Sequence, residues 1–281
     1  MSPGAAGPAT APELVLPPLP DGIDWSIEIA EARSGRPLAV HRAQAQHRTA
    51  SIGKVFLLIE ACTRIADGRL DPDAPLDVPQ EHAVGDSGLL RWLRAPITVG
   101  DACLLVAAVS DNLATNALIH LCGLEAVRAV APRLGLAQTS LWDYIRSARE
   151  PGMPWTASFG TAAELGRTMR LLAAGLAVSR EVSDMVLGYL AADVDTSLVA
   201  GGLNLDALDH VEADDGIVLR HKTGYISILR ADVGLAQGPA AAVSYAVLAE
   251  WDEAGGDRRI AAEDGMRAIG RAIRAHIRPG P

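Results

Sequence analysis

Lysine is almost missing from this chain. Of 25 basic residues only Lys54 and Lys222 are lysines, and all the others are arginine. A compositional bias toward arginine explains the depletion but not where the two survivors sit. Arginine stays protonated in proteins, whereas lysine can lose its proton when desolvated or crowded by another cation. Cysteine is scarce as well. Cys62, Cys103 and Cys122 lie in apolar, helix-like stretches and form no Cys-x-x-Cys. That excludes a disulfide framework and a zinc site, and the three read as small buried thiols. The seven histidines form no His-Glu-x-x-His or similar array, so no metal or organic cofactor is implied. No excess of basic charge is present: the net charge of −9 argues against a nucleic-acid or anionic-membrane partner.

Long apolar runs are absent too; none approaches the ~20 residues needed to span a bilayer. Residues 1–22 carry Pro3, Pro8, Pro12, Pro17, Pro18 and Pro20, with neither a basic leader region nor an unbroken apolar stretch. They read as a mobile or surface-draped tail without a secretory signal, which sets the expectation of a cytoplasmic protein. There are no internal repeats and no Gly-x-Gly-x-x-Gly nucleotide loop. The acidic run Asp206, Asp209, Glu212, Asp214 and Asp215 lacks calcium-ligand spacing and reads as a solvated loop.

What is present is a change of hydrophobic period along the chain. Ile23, Trp25, Ile27 and Ile29 alternate as in a strand, Ser34 to Pro37 reads as a turn, and Leu38 to His41 as a partner strand. From Ser51 the period becomes helical through Val55, Leu58, Ile59, Cys62 and Ile65, ending at Gly68. Further helices are expected near 98–109, 112–122, 124–134, 160–174 and 180–192, separated by Pro and Gly. Strand character returns in Gly216 to His221, Ala231 to Gln237 and Ala241 to Trp251, and 257–277 is an amphipathic helix. The expected fold is α/β of the α+β kind: an antiparallel sheet built from both chain ends and flanked by helices, with an inserted all-α subdomain. The expected boundaries are a 1–22 tail, a subdomain of 23–50 plus 216–281, and a helical subdomain of 51–215, with the active site at their interface.

Three short motifs stand in order: Ser51-Ile52-Gly53-Lys54, Ser110-Asp111-Asn112 and Lys222-Thr223-Gly224. A serine hydroxyl is a poor nucleophile without an adjacent base. On a helix, positions i and i+3 share a face, so Lys54 Nζ is within reach of Ser51 Oγ. To accept a proton Lys54 must be neutral, although a free lysine has a pKa of about 10.4. Burial, the ammonium of Lys222 and the positive end of the helix all act to lower it. Arginine could not substitute. Each motif alone has a simpler explanation; Ser-Asp-Asn, for instance, is also a good helix N-cap.

Together the three motifs resemble those of the class A serine β-lactamases and the related penicillin-binding transpeptidases, over roughly Ile27 to Trp251. The resemblance implies Ser51 as the acylated nucleophile and Lys54 as its base. Ser110 would relay a proton to the leaving nitrogen, and Lys222 would hold Ser110. Asn112 would bind a substrate amide carbonyl. The backbone N–H groups of Ser51 and Tyr225 would form the oxyanion hole. Thr223 and Gly224 would contact the substrate, Thr223 at the substrate's carboxylate. Arg230 resembles an arginine that some members use for the same carboxylate, although a surface arginine on a strand looks the same in sequence. Gly85-Asp86-Ser87-Gly88-Leu89-Leu90 resembles a loop preceding the Ser-Asp-Asn helix in one branch, with Ser87 facing substrate; turn chemistry accounts for it equally.

One part of the family pattern is missing. Class A enzymes carry a Glu-x-x-Leu-Asn loop whose glutamate activates the water that clears the acyl-enzyme. The corresponding stretch here, Trp142 to Gly152, has no such motif. Glu150 is a candidate deacylation base, and a salt bridge to Arg146 or Arg149 is its plainer role. The implied function is a serine hydrolase attacking a β-lactam, amide or ester carbonyl through an acyl-serine, in antibiotic resistance or biosynthesis. The alternative is a β-lactam or peptidoglycan-fragment binding or sensing protein that stays acylated. The implied partner is a small, carboxylate-bearing substrate; oligomeric state is left open.

Overall fold

The computed structural model describes residues 14–79, 82–84, 87–94, 96–209 and 212–278. Alternating residues build the first strands, β1 (Asp24–Glu31), β2 (Pro37–His41) and the short β3 (Gln46–Arg48). A 3-10 turn, Ala50–Gly53, leads directly into α1 (Lys54–Ala66). The helical middle follows as α2 (Val99–Ala108), α3 (Asn112–Cys122), α4 (Leu124–Arg128) and α5 (Val130–Arg133). Two short strands, β4 (Ser140–Leu141) and β5 (Ser158–Thr161), precede α6 (Ala162–Ala174), α7 (Arg180–Leu190) and α8 (Val199–Leu203). The chain closes with β6 (Val218–Ile226), β7 (Leu229–Gln237), β8 (Ala242–Glu250) and α9 (Arg259–Ile277).

The five long strands form one antiparallel sheet in the order β2-β1-β8-β7-β6, with Trp25 opposite Ala249 and Lys222 opposite Val233. The two chain ends therefore meet in its centre, and β6 is left on an open edge. Strand period two divides the side chains between two cores. Leu229, Ala231, Val233, Ala246 and Leu248 face α1 and the helical middle. Trp25, Ile27, Ile29, Val247 and Ala249 face α9 through Met266, Ile269 and Ile273. Leu14 is buried in this second core, and its N–H donates to Leu38 O at 3.2 Å, so the described end of the proline-rich segment lies along the sheet.

Some elements depart from expectation. The helix expected over 124–134 is two helices, because Pro132 has no N–H to give Arg128 and its ring crowds that carbonyl. The helix expected from 160 starts at Ala162, capped by Thr161, since 158–161 pairs as β5 in a small sheet β3-β5-β4. β6 does not end before Lys222 but runs through the Lys-Thr-Gly motif to Ile226. Gly85 and Asp86 lie outside the described residues. Among the described residues no single helix is long and apolar enough to cross a membrane.

Candidate active site

Ser51 sits in the 3-10 turn ahead of α1, a geometry with three residues per turn that stacks it over Lys54. The turn is pinned from below by β5. Thr49 Oγ1 donates to Ser158 Oγ at 2.9 Å, and Ser158 Oγ donates to Ala50 O at 2.5 Å. Ala50 has φ +46°, a left-handed conformation that an alanine adopts only when its surroundings impose it. Ser110 is held the same way, at φ +54°, in the turn before α3. Two non-glycine residues with this strain therefore border the space around Ser51.

Asp111 organises the second motif. Its carboxylate accepts from Ala114 N at 2.9 Å as the α3 N-cap, and from Leu89 N and Leu90 N at 2.6 and 2.7 Å. It is thus structural, as its capping chemistry suggests. The side chain of Lys54 is fully buried between the motifs. Its Nζ lies 2.7 Å from Ser110 O, 2.7 Å from Asn112 Oδ1 and 3.1 Å from Ser110 Oγ. All three contacts are uncharged groups, and none is Ser51, the partner expected from spacing. Burial first, and then the like charge of Lys222, hold the Lys54 ammonium well below its ordinary range, against weaker opposing pulls from Asp111 and Asp193. Asn112 Oδ1 is taken by Lys54, which leaves its N–H2 free to face the cleft.

The third motif lies on the open edge formed by β6. Lys222, also fully buried, donates to Asp193 Oδ2 and to Thr223 O, both at 3.3 Å. Lys222 was expected to hold Ser110; instead it is paired with Asp193. That acid lies between α7 and α8 in a stretch with no motif, and sequence reasoning missed it. Thr223 N also donates to Asp193 Oδ2, at 3.3 Å, so the N–H groups at this parity point off the sheet edge. Tyr225, two residues on, presents its N–H to the same side, beside the Ser51 turn. Asp195 was missed as well. Its carboxylate accepts from Ser197 Oγ at 2.6 Å and from Ser197 N at 3.2 Å, and Ser197 Oγ shares a hydrogen bond of 2.6 Å with the Tyr225 hydroxyl.

Two cavities meet at Ser51. One, of about 420 Å³, is lined by Ser51, Ser87, Ser110, Asn112, Asp193, Asp195, Thr223 and Tyr225. The other, of about 340 Å³, shares Ser51, Asn112 and Tyr225 and adds Arg48, Ile145, Arg146, Arg149 and Trp155. Nearly all the residues singled out in sequence are thus gathered around one serine. Among the described residues no cluster of three or more His, Cys, Asp or Glu is arranged to hold a metal ion.

A sequence model of the β-lactamase enzyme family matches residues 21–277. The chain belongs to this family. No curated protein sequence matches it. Among solved structures it is similar to a β-lactamase from Sphaerobacter thermophilus, at 25% identity, TM-score 0.78, and coverage of 92% of this chain and 94% of that one. It is also similar in fold to PBP-A, at 19% identity, TM-score 0.75, and coverage of 91% and 90%. A β-lactamase from Xanthomonas campestris shares the fold at 18% identity, TM-score 0.75, and coverage of 91% and 92%. A point mutant of PBP-A is described as an acyl-enzyme complex with penicillin-G. The family and the likeness support a serine hydrolase of β-lactamase type.

Within this β-lactamase-family chain, the loop after β4 carries the main departures. Asn116 on α3 clamps the backbone of Ile145 twice, accepting from its N–H and donating to its carbonyl, both at 2.9 Å. The Ile145 side chain consequently lines the Ser51 cavity. Buried Asp143 binds Arg146 at 3.0 Å and Arg149 at 2.8 Å. Glu150, proposed from sequence as the deacylation base, is exposed and absent from both cavity linings. It does not pair with Arg146 or Arg149 either, because Asp143 holds both. Arg230 is also corrected. It belongs to the sheet face toward α9, where its Nε donates to Glu263 at 2.9 Å and its guanidinium stacks on Tyr225 and Trp251. It lines neither cavity at Ser51.

Proposed function

We propose that this protein is a serine acyl-transfer enzyme that attacks a β-lactam, amide or ester carbonyl and forms an acyl-Ser51 intermediate. The observation that carries this reading is the environment of Lys54. A neutral amine has two N–H groups and one lone pair. Ser110 O and Asn112 Oδ1 can only accept, so they take the two N–H groups at 2.7 Å each. The lone pair then faces the Ser110 hydroxyl at 3.1 Å. Lys54 is therefore the base for the Ser51 proton, taken directly or through Ser110. As Ser51 Oγ bonds to the carbonyl carbon, the developing oxyanion faces the N–H groups of Ser51 and Tyr225. Ser110 passes the proton to the leaving atom, and Lys222 adds positive charge from behind. The site lies where the sheet of 23–50 and 216–281 meets the helical part, 51–215.

A second reading, a binder or sensor that stays acylated, is favoured by the loop after β4. It offers Ile145, Arg146 and Arg149 to the cleft and no carboxylate to activate water. Intact-protein mass spectrometry with a penicillin and a chromogenic cephalosporin, with Ser51→Ala as control, tests both readings. A transient adduct with product accumulation supports turnover; a persistent Ser51 adduct supports binding or sensing. An adduct that forms equally on Ser51→Ala would remove Ser51 as the nucleophile.

A further inference from the structure

The two cavities at Ser51 differ in charge. The Ser110 side is where a leaving group must lie, since Ser110 is the hydroxyl placed to protonate it. Its lining contains no arginine among the described residues, because Arg230 points to the opposite face of the sheet. The Lys222 ammonium is matched by Asp193 at 3.3 Å. Asp195 remains, with no cationic partner among the described residues. Burial pushes its carboxyl up, but the hydroxyls of Ser197, Tyr225 and Thr223 outweigh that and hold it below the usual carboxylate range, so it is ionised at neutral pH. The Thr223 hydroxyl, which could otherwise receive a substrate carboxylate, thus lines the same cavity as a carboxylate of the protein itself. On the other side, Arg146 and Arg149 share the single carboxylate of Asp143, which leaves one positive charge in excess beside Trp155.

We propose that the cleft takes acyl donors polarised opposite to a carboxylate-bearing leaving group: the leaving group is cationic, and any carboxylate lies on the acyl part. This rests on Ser51 acylation as proposed above. In the step, the bond from Ser51 Oγ to the carbonyl carbon forms and the bond from that carbon to the leaving atom breaks. The Ser51 proton departs with the leaving group through Lys54 and Ser110.

The test uses thioesters that share a butyryl group but differ in the thiol released: thiocholine (cationic), ethanethiol (neutral) and 3-mercaptopropionate (anionic). The ethyl thioester of succinate supplies an anionic acyl part for comparison with ethyl thiobutyrate. Ser51 acylation is followed by intact mass, and released thiol by a colorimetric reagent. One unscreened charge contact gives about a 10-fold preference for thiocholine over mercaptopropionate. Raising the salt should shrink that ratio. Asp195→Asn should bring it to near unity by accelerating the mercaptopropionate donor relative to ethyl thiobutyrate, with the melting temperature and far-UV circular dichroism of the variant reporting an intact fold. Succinyl should be transferred faster than butyryl, and Arg146→Ala should remove that advantage. Equal rates for the cationic and anionic leaving groups in the wild-type protein, or faster reaction of the anionic one, overturn the inference while leaving the acyl-serine reading in place. Failure of every donor, the neutral one included, instead counts against Ser51 acylation itself.

Discussion

Gly224 lies so close over Thr49 that a Cβ at position 224 would stand 2.6 Å from the Thr49 carbonyl oxygen and 3.2 Å from Ser51 N. The open edge of the sheet is thereby pressed onto the turn that carries Ser51, and Tyr225 N–H is brought beside Ser51 N–H. Gly224→Ala must push the two apart. A displacement of about 1 Å in such a site costs on the order of 100-fold in rate. The expected result is a loss of that order in the Ser51 acylation rate with little change in thermal stability, measured by stopped-flow and by melting.

The pH dependence of acylation should report Lys54. The amine must be unprotonated to act, so the rate rises with pH through its pKa and is flat above it. That pKa lies well below 10.5, because of burial and then Lys222. Removing the like charge in Lys222→Met raises it, so the whole profile moves to higher pH; Lys222→Arg keeps the charge and leaves the midpoint near its original place. A profile that does not move in Lys222→Met would contradict this coupling.

Ile145 is clamped by Asn116 with its side chain in the Ser51 cavity. A carboxylate at this position would face the acyl carbonyl and could activate water, a role worth roughly 100-fold or more. Ile145→Glu should shorten the lifetime of an acyl-Ser51 adduct by about that factor, while Ile145→Gln should not. Glu150→Gln should leave the lifetime unchanged, since Glu150 is exposed and outside the cleft. The decay of the adduct by intact mass distinguishes all three.

Asp143 is the anchor of the same loop. Burial raises its carboxyl, but hydrogen bonds from Arg146, Arg149 and Tyr144 N outweigh it and set the pKa below 3.8. A depressed carboxylate contributes stability that is complete above its unfolded pKa and is lost as pH falls through the folded one. The loop should therefore loosen only in strong acid, read out by the fluorescence of Trp142 and Trp155. Asp143→Asn removes this acid step and leaves two arginines without their carboxylate, at a cost of about 1 kcal/mol since both are partly exposed.

The nucleophile, its lysine and the two other motifs are legible because each is a fixed local spacing carried by a helix start or a strand. The central sheet is legible because β1, β7 and β8 are long enough to show alternation. What escaped depends on turns and on register. Asp193 and Asp195 reach the cleft only through an irregular connection between α7 and α8, where no periodicity marks them. Arg230 was misplaced because its face depends on pairing with Tyr225, and that register is set by a two-residue hairpin without Gly or Asn. β4 and β5, at two and four residues, are too short to display a strand period.

The pairing of β1 with β8 also constrains how the protein is made. Asp24 must find Glu250, and the intervening chain takes on the order of ten to forty seconds to synthesise. Throughout that interval β1 can pair only with β2, as an isolated hairpin of marginal stability. Contacts so distant in sequence also close slowly once the chain is complete. Ser51 and Lys54 are therefore among the first site residues translated and can react only among the last events of folding, so a nascent chain stalled before β8 carries the nucleophile without the means to use it.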